Sequence, residues 1–332
     1  MAPDIGDPRH DLPCPDVNRQ TMPAAGGYER RESGTVTDAG AVVSAKEVYM
    51  AVLDRPVALR AMTAQDIAPA VDLSAELAWP HRSEDWRLLF ALGEGLVAER
   101  DGELVGCTLA WRYGEKHASI GLVIVRDDMR GRGLGRGMME DMLTRLQGRS
   151  VLLNATEDGL PLYRKLGFVA IGSIVQHQGV APSMPLAELL SGERVRPMGG
   201  ADDCLAAYYS AATGIDRLAL FKALVDDGAA VVLERSLEPV GFASLRRFGH
   251  GHVAAPIIAP DLNGAKVLAT HCLAAKSGAF CRLDAVDGTG LGEWLEEMGV
   301  PCVGRVTTMV LGEPPKPDPR STCFAIAGQA LG

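Results

Sequence analysis

The stretch IGLVIVRDDMRGRGLGRGMMEDMLTRL, Ile120 to Leu146, decides how the rest of the chain is read. Its opening, Ile120 to Val125, is apolar and rich in β-branched residues, which suits a buried strand. Arg130 to Gly137 then alternates, with glycine at every second position and arginine at most of the others. Glycine accepts positive φ and lets a ligand come close to the backbone. Met138, Met139, Met142, Leu143 and Leu146 follow at helical spacing, opposite Glu140, Asp141, Thr144 and Arg145. A strand, a glycine loop and a helix in that order aim free backbone N–H groups and the positive helix end at an anion, most often a phosphate.

Two familiar phosphate loops do not fit. The dinucleotide fingerprint G-x-G-x-x-G fails from either start: Gly131 leads to Arg136 at the last position and Gly133 leads to Met138. The P-loop needs a Gly-Lys pair, and this loop has none. What remains is Arg130-x-x-Gly133-x-Gly135 after a strand ending Val-x-Val. Downstream, Val151 to Thr156 reads as a short strand, and Tyr163 stands four residues before Gly167-Phe168. These two motifs, in this order and at this separation, resemble the GNAT superfamily of N-acetyltransferases over roughly Val57 to Gly179. The resemblance implies an α/β (α+β) fold with a mixed, mostly antiparallel central sheet flanked by helices. It implies acetyl-CoA as cosubstrate and a small amine as acceptor.

The same resemblance assigns roles. Leu122, Val123, Ile124 and Val125 would run along the pantetheine arm, with a backbone N–H of Ile124 or Val125 facing the acyl oxygen. Arg130, Gly131, Arg132, Gly133, Leu134, Gly135 and Arg136 would hold the pyrophosphate. Tyr163 would be the general acid, since a phenol with a reference pKa near 10 matches a departing thiolate; the residue alone also fits a core tyrosine. Asn154 would bond the cofactor arm or water, or serve as a strand-end amide. Glu115 and His117 are the candidates for general base, acting directly or through water. Trp79, His81 and Trp86 lie in a stretch broken by Pro80, and either line a substrate cleft or pack as a turn on the core.

Composition bounds these readings. The chain has 332 residues, 47% hydrophobic and 23% charged, and a formal charge of −9. That length favours two domains, and the negative charge argues against nucleic acid or an anionic membrane as partner. Seven cysteines, an odd number with no C-x-x-C pair, suggest neither a disulfide framework nor a zinc site. We expect no metal and a cytoplasmic protein. Residues 1–50 are rich in proline, glycine and aspartate and read as a disordered tail without a signal-peptide core. Thr63, with Asp66 three residues on, reads as a helix N-cap, and Asp101-Gly102 as a hairpin turn.

The second half repeats the first weakly. LVAERDGELVG from Leu96 is matched by VVLERSLEPVG from Val231, and Arg112-Tyr-Gly by Arg247-Phe-Gly. A repeat this long means two copies of one domain. We divide the chain into a catalytic domain at 55–178, a linker at 179–194 and a divergent copy at 195–332. In the second copy the glycine loop becomes Pro260 to Val267, with one glycine and no arginine, and Leu295 takes the tyrosine position. The pair resembles the tandem bacterial proteins of the YitH type, an intact GNAT domain followed by a divergent one. The expectation is an acetyl-CoA-dependent N-acetyltransferase of a small amine. A mycothiol synthase-like enzyme and a non-catalytic acyl-CoA sensor are the alternatives, and GNAT proteins also form homodimers through sheet edges.

Overall fold

The computed structural model describes residues 56–200 and 202–332. The tail expected at residues 1–50 lies outside the described residues. No helix among the described residues is long and apolar enough to cross a membrane.

The first half runs β1 (Ala58–Ala61), α1 (Ile67–Glu76), α2 (Ser83–Leu92), β2 (Glu94–Arg100), β3 (Glu103–Tyr113), β4 (His117–Val125), α3 (Leu134–Arg145), β5 (Ser150–Ala155), α4 (Leu160–Lys165) and β6 (Val169–Val180). The second half repeats the order: β7 (Glu193–Pro197), α5 (Cys204–Thr213), α6 (Leu218–Asp227), β8 (Ala229–Arg235), β9 (Glu238–Phe248), β10 (Gly251–Ala259), α7 (Leu262–Ala274), β11 (Phe280–Val286), α8 (Leu291–Glu297) and β12 (Cys302–Leu311). It then adds β13 (Thr322–Ala325).

Local chemistry sets several boundaries. The Asp66 carboxylate accepts from the backbone N–H and hydroxyl of Thr63, which opens a short 3-10 turn leading into α1. Asp101 and Gly102 both have positive φ, the type I′ geometry that matches strand twist.

The thirteen strands of the described residues form one sheet, in the order β1-β2-β3-β4-β5-β12-β6-β11-β13-β10-β9-β8-β7. The halves are joined by exchanged strands. β12, from the second half, pairs antiparallel with β5 of the first, Thr307 opposite Ala155 through Leu311 opposite Val151. β6, from the first half, pairs with β11 of the second from Phe280–Val180 to Val286–Ile174. β6 and β12 also pair with each other. The connection expected at 179–194 therefore leads away from a strand already built into the second half.

The core follows the sheet faces. On one face α1 and α2 share a continuous apolar cluster with α5 and α6, through buried Trp86, Leu122, Tyr209, Phe221 and Leu331. On the other face α3 and α4 cover the first half through Met139, Met142, Tyr163 and Phe168. There α7 and α8 cover the second half through Leu268, Leu291 and Leu295. The helix spacing of methionines read from the sequence is thus the seam of α3 against the sheet.

Candidate active site

The site begins where two strands part. β4 and β5 are parallel partners over three positions, His117 to Ser119 against Ser150 to Leu152. From Ile120 onward β4 has no strand partner on that side among the described residues, while β5 keeps β12 along its other edge. The result is a V whose open end faces the glycine loop. Within the V, β4 carries a bulge: Cys107 pairs with Ile124 and Leu109 with Gly121, so Thr108 faces both Leu122 and Val123. Leu122 has φ 52. Bulges of this kind free a backbone N–H from the ladder and re-aim it. The irregularity falls at Leu122–Val123, two residues before the Ile124–Val125 position expected for the acyl-oxygen donor; Ile124 and Val125 keep regular register with β3.

The glycine loop leaves a helix N-terminus uncapped. Gly131 and Gly133 have φ of 73° and 82°, a conformation that side chains resist. Gly133 is the N-cap of α3, and no side chain caps that helix. The first-turn N–H groups of a helix have no partner within it. Arg132 is exposed with no carboxylate partner among the described residues, while Arg130 is exposed beside Asp127 at 3.0 Å. Arg136 pairs with Glu140 at 2.7 Å on the helix surface. Weakly held surface pairs such as these are readily exchanged for a phosphate.

Tyr163 sits one turn into α4, just past the end of β5. It is 8% exposed, packs edge-on to Phe168 and shares a cluster with Val123 and Ala155. Burial pushes its phenol up to about 12. It is therefore protonated across the physiological range.

On the opposite face a cavity of about 250 Å³ opens against the V. Gly121, Leu122 and Asn154 form the wall nearest the V, with Trp79 and His81 on the first-half side. Arg246, Phe248, Arg282 and Asp284 come from the second half. The segment 326–332 closes it. Asn154 donates through Nδ2 to the Gln329 carbonyl at 2.9 Å and accepts through Oδ1 from Thr308 at 2.8 Å. Arg217, 2% exposed, donates to the carbonyls of Leu331 and Gly332, and Tyr113 donates to Leu331 at 2.6 Å. Ala330 lies so close to Gly121 that a Cβ at 121 would come within 2.8 Å of it. His81 is crowded by protein on most sides. Desolvation, with Arg282 nearby, brings its pKa down to about 4, so the imidazole is neutral. Burial by itself would raise the Asp85 carboxyl, but hydrogen bonds from Arg82 and from the backbone N–H groups of Arg82 and Gly249 hold it below its ordinary value.

The sequence-derived residues divide accordingly. Leu122, Val123, Ile124 and Val125 line the V edge, and Arg130 to Arg136 form the loop at its mouth. Trp79 and His81 line the cavity; Trp86 does not, being wholly buried with its indole N–H 3.2 Å from Ser74. Glu115 and His117 sit at the closed end of the V, beside Ser150, and are not among the cavity-lining residues. Arg126, at the end of β4, is held by Asp128 at 2.7 Å and Glu103 at 3.1 Å. Among the described residues no cluster of three or more His, Cys, Asp or Glu is arranged to hold a metal. The individual residues of the second-half wall were not found from sequence. Its one trace is the Arg246-Arg247 pair, whose members must face opposite sides of β9.

Two models of the acetyltransferase (GNAT) domain match the chain, one over residues 91–170 and the other over residues 206–325. The chain is a tandem GNAT acetyltransferase. It is 28% identical over 241 residues to the uncharacterized N-acetyltransferase YitH of Bacillus subtilis (strain 168), covering 71% of this chain and 84% of that one. In fold it is similar to a protein from Pyrococcus horikoshii proposed to be an acetyltransferase. The TM-score is 0.70 at 21% identity, covering 83% of this chain and 96% of that chain. It is also similar to a tandem GNAT protein from the clavulanic acid biosynthesis pathway. There the TM-score is 0.59 at 12% identity, covering 77% of this chain and 98% of that chain.

The second GNAT unit has its own V, and it is filled. β10 and β11 pair over two positions, and β13 then enters between them, bonding to both. The bulge of β10 contains Pro256, which has no N–H to offer. The N-terminus of α7 is capped by its own Asp261, whose carboxylate accepts from Gly264 at 2.8 Å and pairs with Arg235 at 2.6 Å.

Proposed function

We propose that this GNAT acetyltransferase is an N-acetyltransferase of a small amine, with acetyl-CoA held by the first unit and the amine held in the inter-unit cavity. The observation that carries the reading is the open V of β4 and β5 leading to an uncapped, arginine-flanked helix N-terminus. Backbone N–H groups of the Gly131–Arg136 loop, with Arg130 and Arg132, take the pyrophosphate. The bulge at Leu122–Val123 supplies a donor for the oxyanion; one such donor is worth roughly 3 kcal/mol of barrier.

The amine nitrogen attacks the thioester carbonyl, a C–N bond forms and the C–S bond breaks. Tyr163 gives its proton to the departing thiolate, and the amine proton leaves to solvent. The working unit is residues 55–178 completed by β12; residues 195–332 form a non-catalytic partner that walls the acceptor cavity. We place the protein in the cytoplasm, where acetyl-CoA is made.

The test is calorimetric titration of acetyl-CoA, followed by thiol release with a panel of amines. Micromolar binding with one site per chain, and turnover of at least one amine, is expected. Tight binding without turnover would favour the acyl-CoA sensor, and no binding would remove the acetyl-transfer reading altogether.

A further inference from the structure

Among the described residues the cavity walls hold one buried arginine that no carboxylate contacts in an ion pair. Arg82 is paired with Asp85 at 2.7 Å and Arg282 with Asp284 at 2.9 Å. Gln329 adds a further bond to Asp284 at 3.2 Å. Arg246 is 5% exposed and forms no ion pair among the described residues. One of its nitrogens, Nη2, donates to the Ala327 carbonyl at 3.2 Å, and Nε has no hydrogen-bond partner among the described residues. Desolvation lowers its pKa; Asp85, Asp227 and Asp284 oppose that at longer range, and Arg82 adds to it. An arginine does not lose its proton in a protein, so the charge stays. A buried charge without a partner is among the costliest arrangements a fold can keep, and a bound anion would relieve that cost.

The surroundings give this charge a shape. Two guanidiniums lie within cation–π range of the Phe248 ring, Arg246 at 5.3 Å and Arg282 at 5.5 Å from the ring centroid. The His81 ring meets Phe248 edge-on at 5.3 Å, and its Nδ1 is likewise buried without a partner. An aromatic ring near a guanidinium stabilises its charge without using up its N–H donors, which stay available for an anion. These groups and the acyl-site residues Gly121 and Leu122 line the same cavity.

We propose that the acceptor is an amine that also carries a carboxylate, of the amino-acid class, and that Arg246 receives that carboxylate. This rests on the cavity being the acceptor site. A single uncompensated guanidinium fits a monoanion with two coplanar oxygens. A phosphate dianion would ask for a second free cation, and Arg282 is committed to Asp284. With the carboxylate at the second-half wall, the amine is left to face the β4 bulge. Arg246 is thus a specificity residue, and the second GNAT unit contributes recognition to chemistry performed in the first.

The experiment uses the full chain. Thiol release from acetyl-CoA is measured with L-α-amino acids and, for each, the matching decarboxylated amine, in wild type, Arg246→Gln and Arg246→Lys. Turnover is expected among the acids, with kcat/KM about 10- to 100-fold below for the decarboxylated partner, the usual worth of a charge-assisted hydrogen bond. Arg246→Gln should erase that ratio, and Arg246→Lys should keep part of it. Decarboxylated amines turned over as well as the acids would overturn the proposal, and so would an unchanged ratio in Arg246→Gln. Should Arg246→Gln not fold, the wild-type ratio decides by itself. If no acid or amine is turned over, calorimetry of N-acetyl amino acids against the matching N-acetyl amines in CoA-saturated protein replaces it. Preference for the carboxylate supports the proposal; equal or absent binding overturns it. A wild type that binds no acetyl-CoA fails at an earlier step, the transferase reading itself, and the titration tells the two failures apart.

Discussion

The two GNAT units share a strand plan and differ at the same three points of it. In the first, β4 and β5 part and no strand of the described residues pairs into the gap; in the second, β13 fills it. The first bulge keeps backbone N–H groups at Leu122 and Val123, and the second holds Pro256. The first helix N-terminus is an exposed Gly133 without a cap, and the second is occupied by Asp261. An anion site in this fold is thus a set of unsatisfied donors, and a unit loses it by satisfying those donors from within. The β13 strand then runs on into residues 326–332, which close the cavity of the first unit. Closing one site and shaping the other are done by one continuous segment.

Predictions that import one unit's device into the other have the largest effects. Gly133→Asp places a carboxylate at the N-cap of α3, as Asp261 does at α7, and adds a side chain where φ is 82°. Acetyl-CoA affinity should fall on the order of 100-fold through repulsion and self-capping, measured by calorimetry. Tyr163→Phe removes the acid and leaves the packing, so kcat should drop by about 100-fold or more with little change in acetyl-CoA affinity. Because burial holds the phenol up at about 12, wild-type activity should show no alkaline loss from this group through pH 10.

Smaller effects sharpen the comparison. Asp261→Ala removes the second unit's cap and its pair with Arg235. Stability should fall by about 1 kcal/mol in denaturant titration. No second acetyl-CoA site should appear, since β13 still fills the V. His81 gives a pH signature. Its folded pKa near 4 lies below the unfolded 6.5, so between those values the unfolded chain binds more protons. Its contribution is full above pH 6.5 and is lost as pH falls towards 4, with a slope of at most about 1.4 kcal/mol per pH unit. His81→Gln should flatten that part of the stability curve.

The sequence revealed what is local. Strand, glycine loop and helix around Gly133, the Asp101-Gly102 hairpin and the methionine seam of α3 all depend on neighbours within a few turns. The repeat was legible through β2 and β3 against β8 and β9. Strand exchange was not, because β6 and β12 each carry the same alternation whichever β5 or β11 they meet. The base candidates Glu115 and His117 were chosen for nearness in sequence to the acyl strand, and the V places them at its closed end. Trp79 and Trp86 share a composition signal, yet Trp79, in the loop before α2, lines the cavity, and Trp86, in the first turn of α2, is buried in the core. Asn154 was marked by its strand-end position, and its amide bonds to residues about 150 and 175 positions away, Thr308 and Gln329. Arg246 and Arg282 came from a half with no motif, and they belong to the site because the exchanged strands bring β9 and β11 to it.

The central claim is that one unit binds and the other cannot. Amide hydrogen exchange of the full chain with and without acetyl-CoA tests it most directly. Slowed exchange confined to β4 and the loop through residue 137, with residues 254–266 unchanged, is the expected result. Protection of 254–266 with no change around Gly133 would contradict it.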